Sequence, residues 1–282
     1  MVVEAKSGLL KRYPLVTYFV LAYAISWAFW LPLAASSHDL IPIYLPAVVF
    51  YTLAALGPVL AAVIVSGIEG GKPAIRALLG KVLKWRVGVR WYLAALLGYP
   101  ALCLAGSGLD VLLGGNPSSP SSSDLAGLHM PFWFLLVIMP PFVLGEEIGW
   151  RGYALPRIQA GRSALLASII LSVLWGLWHV PSFLMRNSLH QGQPFLLWMV
   201  WLFLMTVVLT WLYNSTGGSV LIAWFYHVAM NYAGFLTPAT MRGRVIGSVF
   251  ILMAVVAIVT LAGPARLSKS GKEEHTGIQN VS

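Results

Sequence analysis

Gly145-Glu146-Glu147-Ile148-Gly149-Trp150-Arg151 lies inside an otherwise apolar run near 131–155. What surrounds that run decides the fold. Hydrophobic residues make up 59% of the 282 positions and charged residues only 10%, with a mean hydropathy of +0.80. A soluble domain carries roughly 45–50% apolar and about 25% charged residues, so this excess cannot be hidden in one soluble core. Further apolar stretches fall near 15–35, 42–66, 91–114, 163–185, 195–213, 218–236 and 245–262. Each is near the roughly 20 residues that a spanning helix needs. The expected fold is all-α, a polytopic membrane protein with about eight transmembrane helices and residues 1–282 forming one transmembrane domain.

The net charge of +9 reports topology rather than nucleic-acid binding. With eight spans, all of the 18 Lys and Arg except Arg186, Arg242 and Arg244 fall on the side that holds both termini. That asymmetry predicts cytoplasmic termini and loops in a multi-pass protein, with the cell membrane as its expected location. The first span precedes small residues, Ala34-Ala35-Ser36-Ser37. Its apolar run is nevertheless longer than a signal-peptide core, so it reads as a retained anchor. Gly114–Ser123, rich in Ser, Pro and Gly, reads as a flexible external loop, and 268–282 as a disordered cytoplasmic tail. The single cysteine, Cys103, excludes a disulfide framework and a multi-cysteine zinc site.

Polar residues in the apolar runs carry the chemistry. An ionised residue at the bilayer centre costs at least about 2.5–3.5 kcal/mol, so adjacent carboxylates demand partners or a wet cavity. Glu147 and Arg151 are four apart and share a helix face, which predicts a charge-assisted pair. Glu146, turned about 100° from Glu147, has no cation at i+3 or i+4 and stays available for chemistry. The fifth run contributes His179 in Trp175-Gly176-Leu177-Trp178-His179-Val180-Pro181, where Pro181 frees the Leu177 carbonyl and predicts a bend. The seventh contributes His227 and Asn231, which share a face at i, i+4. A carboxylate, two imidazoles and a carboxamide can supply a base, an orienting partner and oxyanion donors. The same groups are also the parts of a proton or substrate pathway, so a transporter or a non-catalytic binding or immunity factor is the competing class. At about 1.5 Å per residue, Glu146 and His227 lie roughly 15 and 14 Å from the cytoplasmic ends of their spans, and His179 roughly 24 Å. The site is expected to line one cavity open to the cytoplasmic half.

The order Glu-Glu-x-x-x-Arg, aromatic-x-x-x-His, His-x-x-x-Asn over roughly 130–235 resembles the CPBP (ABI) family. That family comprises type II CAAX prenyl endopeptidases and bacteriocin-processing or immunity proteins. Trp175 stands where the family pattern usually has Phe, a swap expected to alter packing rather than chemistry. The resemblance implies an intramembrane endopeptidase acting on a membrane-associated, prenylated or unprenylated, protein or peptide. Glu146 with His179 would activate water, His227 and Asn231 would bind the oxyanion, and Glu147 and Arg151 would support the first motif. No cofactor is favoured. Zinc is the alternative, with Glu146, His179 and His227 as its ligands, although no H-E-x-x-H is present. Expected partners are membrane lipids and the substrate, with no nucleic acid.

Overall fold

A computed structural model of the chain describes residues 12–117, 132–186, 188 and 190–268. Most of the loop expected at Gly114–Ser123 and all but the first residue of the tail expected at 268–282 lie outside them. The described residues are helical, without strands. In chain order the helices are α1 (Pro14–Ser37), α2 (Ala47–Ala55), α3 (Gly57–Gly80) and α4 (Val89–Leu112). Then come α5 (Phe132–Glu147), a π-helical segment (Ile148–Ala154), α6 (Leu155–Gln159), α7 (Ala164–Trp178) and α8 (Val180–Leu184). Last are α9 (Phe195–Ser215), α10 (Val220–Leu236) and α11 (Met241–Ala262).

The helical segments Pro14–Ser37, Ala47–Gly80, Val89–Leu112, Phe195–Ser215 and Met241–Ala262 are long and apolar enough to cross a bilayer. The other expected spans are interrupted or short: α5 passes into the π segment, α7 has 15 residues and α10 has 17. Those three elements carry Glu146, Glu147, Arg151, His227 and Asn231, and His179 caps the C-terminal end of α7. The chain is a multi-pass membrane protein whose least regular helices hold Glu146, Glu147, Arg151 and His227, the arrangement expected when non-ideal backbone is buried in protein rather than exposed to lipid.

Helix ends follow local chemistry. Ser163, Ser219 and Thr240 each accept a hydrogen bond from the backbone N–H three residues on, at 3.1, 3.3 and 3.1 Å, capping α7, α10 and α11. The second apolar run ends where Gly70 and Gly71 leave helical geometry, with Gly71 at φ 64°, a conformation that glycine adopts without steric cost.

Proline positions are satisfied by neighbouring helices. Pro140 has no N–H, which strips the Leu136 carbonyl of its i+4 donor. The Tyr232 hydroxyl supplies one at 2.9 Å, and the Trp224 indole donates to the Pro140 carbonyl at 2.7 Å. Both come from α10, so α5 and α10 are pinned together. The bend expected at Pro181 is a full break. Helix α7 stops at Trp178, and the His179 N–H turns back to the Gly176 carbonyl at 3.0 Å. The first span holds this broken end, since Trp27 donates its indole N–H to the Trp178 carbonyl at 2.9 Å and the Tyr23 hydroxyl donates to the Leu174 carbonyl.

Helix α1 also packs against the π segment. Tyr18, Ala22, Ser26, Trp30 and Leu33 are buried at helical spacing along one face. A Cβ at Gly149 would stand 2.6 Å from both the Tyr18 hydroxyl and the Pro58 Cβ, so only glycine permits that approach.

Candidate active site

The π segment begins immediately after Glu146 and Glu147. Its wide turns are marked by the Leu155 N–H bonding back to the Trp150 carbonyl, five residues earlier. Such segments recur at functional sites. Glu147 and Arg151 lie wholly buried, with Arg151 Nη1 donating to Glu147 Oε1 at 2.8 Å, the pair that their spacing predicted. The same Oε1 also takes His227 Nδ1 at 2.8 Å. This second contact joins residues 80 apart in sequence, and no local periodicity announces it. Because a carboxylate only accepts, Nδ1 carries the proton in this pair and Nε2 is the nitrogen left for other chemistry.

Glu146 has a different partner. Its Oε2 accepts the Trp175 indole N–H at 3.1 Å. Trp175 also lies under the Arg151 guanidinium, 4.3 Å from ring centroid to Cζ, and its backbone carbonyl holds His179 Nδ1 at 2.9 Å. One residue therefore touches both halves of the polar cluster. Beyond the packing change expected for Trp in place of Phe, the indole adds a hydrogen bond to Glu146 that phenylalanine could not make. The carbonyl bonded to His179 fixes that ring as Nδ1–H, leaving Nε2 as an acceptor in the neutral form. Aromatic rings surround His179, with Trp178, Trp198 and His190 centred 4.7, 5.0 and 5.5 Å away.

Glu146, His179, His227 and Asn231 line one cavity of about 810 Å³, together with Trp175, Tyr99, Cys103, Trp198, Trp201 and Arg244 among others. Glu147 and Arg151 lie behind its wall. Sequence reading missed His190, which lines the same cavity from the segment between α8 and α9 and shares a hydrogen bond with the Ser182 hydroxyl at 2.9 Å. Burial pushes its imidazole down to about 4, so it is neutral near pH 7. Nothing in its local sequence, Ser188-Leu189-His190-Gln191, signalled the role.

The cavity does not run toward the basic loops, as expected from sequence, but away from them. Its wall reaches Gln193 and Pro194 before α9 and Thr237 and Ala239 before α11. Toward the basic loops the space is filled. Trp150, Tyr153, Ala154 and Leu155 are fully buried, packed with Leu78, Val220 and Ala223 in one apolar core. This direction also resolves the depth of His179, which sits at the far end of α7 because the cavity extends to that end.

Among the described residues, no three His, Cys, Asp or Glu side chains are grouped to hold a metal ion. Both imidazoles engage protein acceptors through Nδ1, which leaves Nε2 of His179 and of His227 free for other partners.

Residues 127–233 match the family described as type II CAAX prenyl endopeptidase Rce1-like. A curated relative, "CAAX prenyl protease 2" of Methanococcus maripaludis, is 28% identical over 170 residues. The alignment covers 57% of this chain and 61% of the relative, less than two thirds of its length. The matched segment holds Glu146, Glu147, Arg151, Trp175, His179, His227 and Asn231. Through this segment the chain is similar to the type II CAAX prenyl endopeptidase (Rce1-like) family.

Proposed function

We propose that the protein is an intramembrane endopeptidase that hydrolyses a peptide bond in a membrane-associated protein or peptide. The observation that carries this reading is the convergence of Glu146, His179, His227 and Asn231 on one cavity within an apolar helical bundle. Glu146 takes a proton from a water molecule, and His179, through Nε2, helps to orient it for attack on the scissile carbonyl. The tetrahedral oxyanion accepts hydrogen bonds from the Asn231 carboxamide and from His227 Nε2. Because Nδ1 of His227 already donates to Glu147, donation from Nε2 requires an imidazolium. Glu146 then returns its proton to the departing amine, and the products are a new carboxylate and a new amine.

This scheme needs no metal, and the family's prenylated substrate class is one candidate for the peptide cleaved. Purified protein in detergent, given a fluorogenic membrane peptide, is expected to cleave it with and without chelator. Asn231→Ala should lower kcat by about 10²–10³, the usual effect of losing one oxyanion donor. An unchanged kcat would remove Asn231 from that role, and chelator inhibition reversed by metal would overturn the metal-free scheme.

Trp175→Phe is the chain-specific test. It keeps an aromatic ring beneath Arg151 but deletes the N–H that holds Glu146. A hydrogen bond to a charged group contributes about 1.5–3 kcal/mol, so a fall in kcat of at least about tenfold with little change in KM is expected. Wild-type kinetics in this variant would return Trp175 to a packing role.

A further inference from the structure

We infer that substrate enters from the membrane face opposite the basic loops, so that the polypeptide cleaved is one presented on the extracytoplasmic side. The substrate part of this statement rests on the endopeptidase reading above; the route of access does not. Contacts between loops identify the two ends of the bundle. At one end Lys84 donates to the Gly217 carbonyl at 2.7 Å, Ser219 to the Lys84 carbonyl at 2.8 Å, and the Ala164 N–H to the Ala265 carbonyl at 2.8 Å. Arg157 pairs with Glu69 there at 2.7 Å. At the other end the Arg186 N–H meets the Ser37 hydroxyl at 3.1 Å, and Arg242 meets Asp110 at 2.5 Å.

The cavity belongs to the second end on every helix that crosses it. Running away from the basic loops, its wall starts at Trp175 on α7, at His227 on α10 and at Tyr99 on α4. Running toward them, it stops at Glu146 on α5, at Leu202 on α9 and at Ile251 on α11. Gln193, Leu197, Arg244 and Ser248 are exposed members of that wall. No described lining residue lies in the basic loops.

Charge then supplies the orientation. Loops rich in Lys and Arg stay cytoplasmic, which assigns the cavity mouth to the opposite leaflet. Of the basic residues at the mouth end, Arg186 and Arg242 face Asp39 and Asp110, whereas Arg244 stands exposed in the cavity wall. An apolar cavity with one guanidinium near its opening suits an apolar membrane-held peptide bearing a carboxylate.

Cys103, the single cysteine, lines the cavity and is half-buried, so the native chain carries its own reporter. A membrane-impermeant, sulfonate-bearing methanethiosulfonate is expected to modify Cys103 in right-side-out membranes and not in inverted vesicles. In a Cys103→Ser background, Ser248→Cys should behave in the same way, and Ser268→Cys, at the basic end, should react only in inverted vesicles. Modification of the cavity positions only in inverted vesicles, modification of neither from outside, or external reactivity of Ser268→Cys would each overturn the inference. Labelling needs no turnover. A protein that labels as expected but cleaves nothing would therefore sink the endopeptidase reading and leave the route of access standing.

Discussion

Glu146→Gln is expected to abolish most turnover while leaving the protein folded. The substitution keeps the side-chain length and an oxygen that still accepts the Trp175 indole N–H, so the contact at 3.1 Å survives. The variant loses the ability to take a proton from water. Removing a general base typically costs about 10²–10⁴ in rate, and kcat should fall within that span. KM should change little, because the proton transfer belongs to the transition state rather than to substrate binding. Thermal unfolding in detergent should stay close to wild type, since Glu146 forms no ion pair among the described residues. A variant of undiminished kcat would show that another group activates the water.

Glu147 and Arg151 should behave in the opposite way, through stability first. Both side chains are wholly buried, and Glu147 Oε1 receives Arg151 and His227 together. Truncating one partner strands the other as an uncompensated buried charge, which costs about 3–5 kcal/mol. Glu147→Ala and Arg151→Ala are each expected to lower the unfolding temperature markedly and to reduce yield in detergent. Replacing the pair together, Glu147→Leu with Arg151→Met, should recover much of that stability, because well-packed apolar substitutes for a buried pair are often neutral or stabilising. Activity should not return with it. His227 would have lost the acceptor that fixes its Nδ1 proton and orients its ring. A double variant as active as wild type would confine Glu147 to a structural role; single variants as stable as wild type would refute the burial argument.

Local rules made part of this site readable. The i, i+4 spacing of Glu147 and Arg151, and the shared face of His227 and Asn231, follow from helical geometry alone, and both are present. The apolar runs marked the helices for the same reason, since hydropathy acts within one segment. What stayed hidden is non-local or depends on a departure from ideal helix. The bond from His227 to Glu147 closes across 80 residues, and the indole of Trp175 reaches Glu146 across 29. A tryptophan in an apolar run looks like any other wall residue until a carboxylate is placed beside its N–H. The direction of the cavity was illegible because it depends on which end the π segment fills with Trp150 and Tyr153. A proline marked the break after Trp178, but its completeness goes with Trp27 of the first helix donating to the Trp178 carbonyl that the missing turn leaves open.

Water split by protein side chains inside this cavity is the central step, and isotope tracing tests it most directly. Purified wild-type protein and Glu146→Gln, each incubated with a membrane peptide in ¹⁸O-water, can be followed by mass spectrometry of the released fragments. Wild type should yield one defined cut with ¹⁸O in the new carboxylate, and Glu146→Gln should yield that product only at a rate reduced by about 10²–10⁴. Intact peptide with the wild-type protein, or equal labelled product from both proteins, would contradict the account.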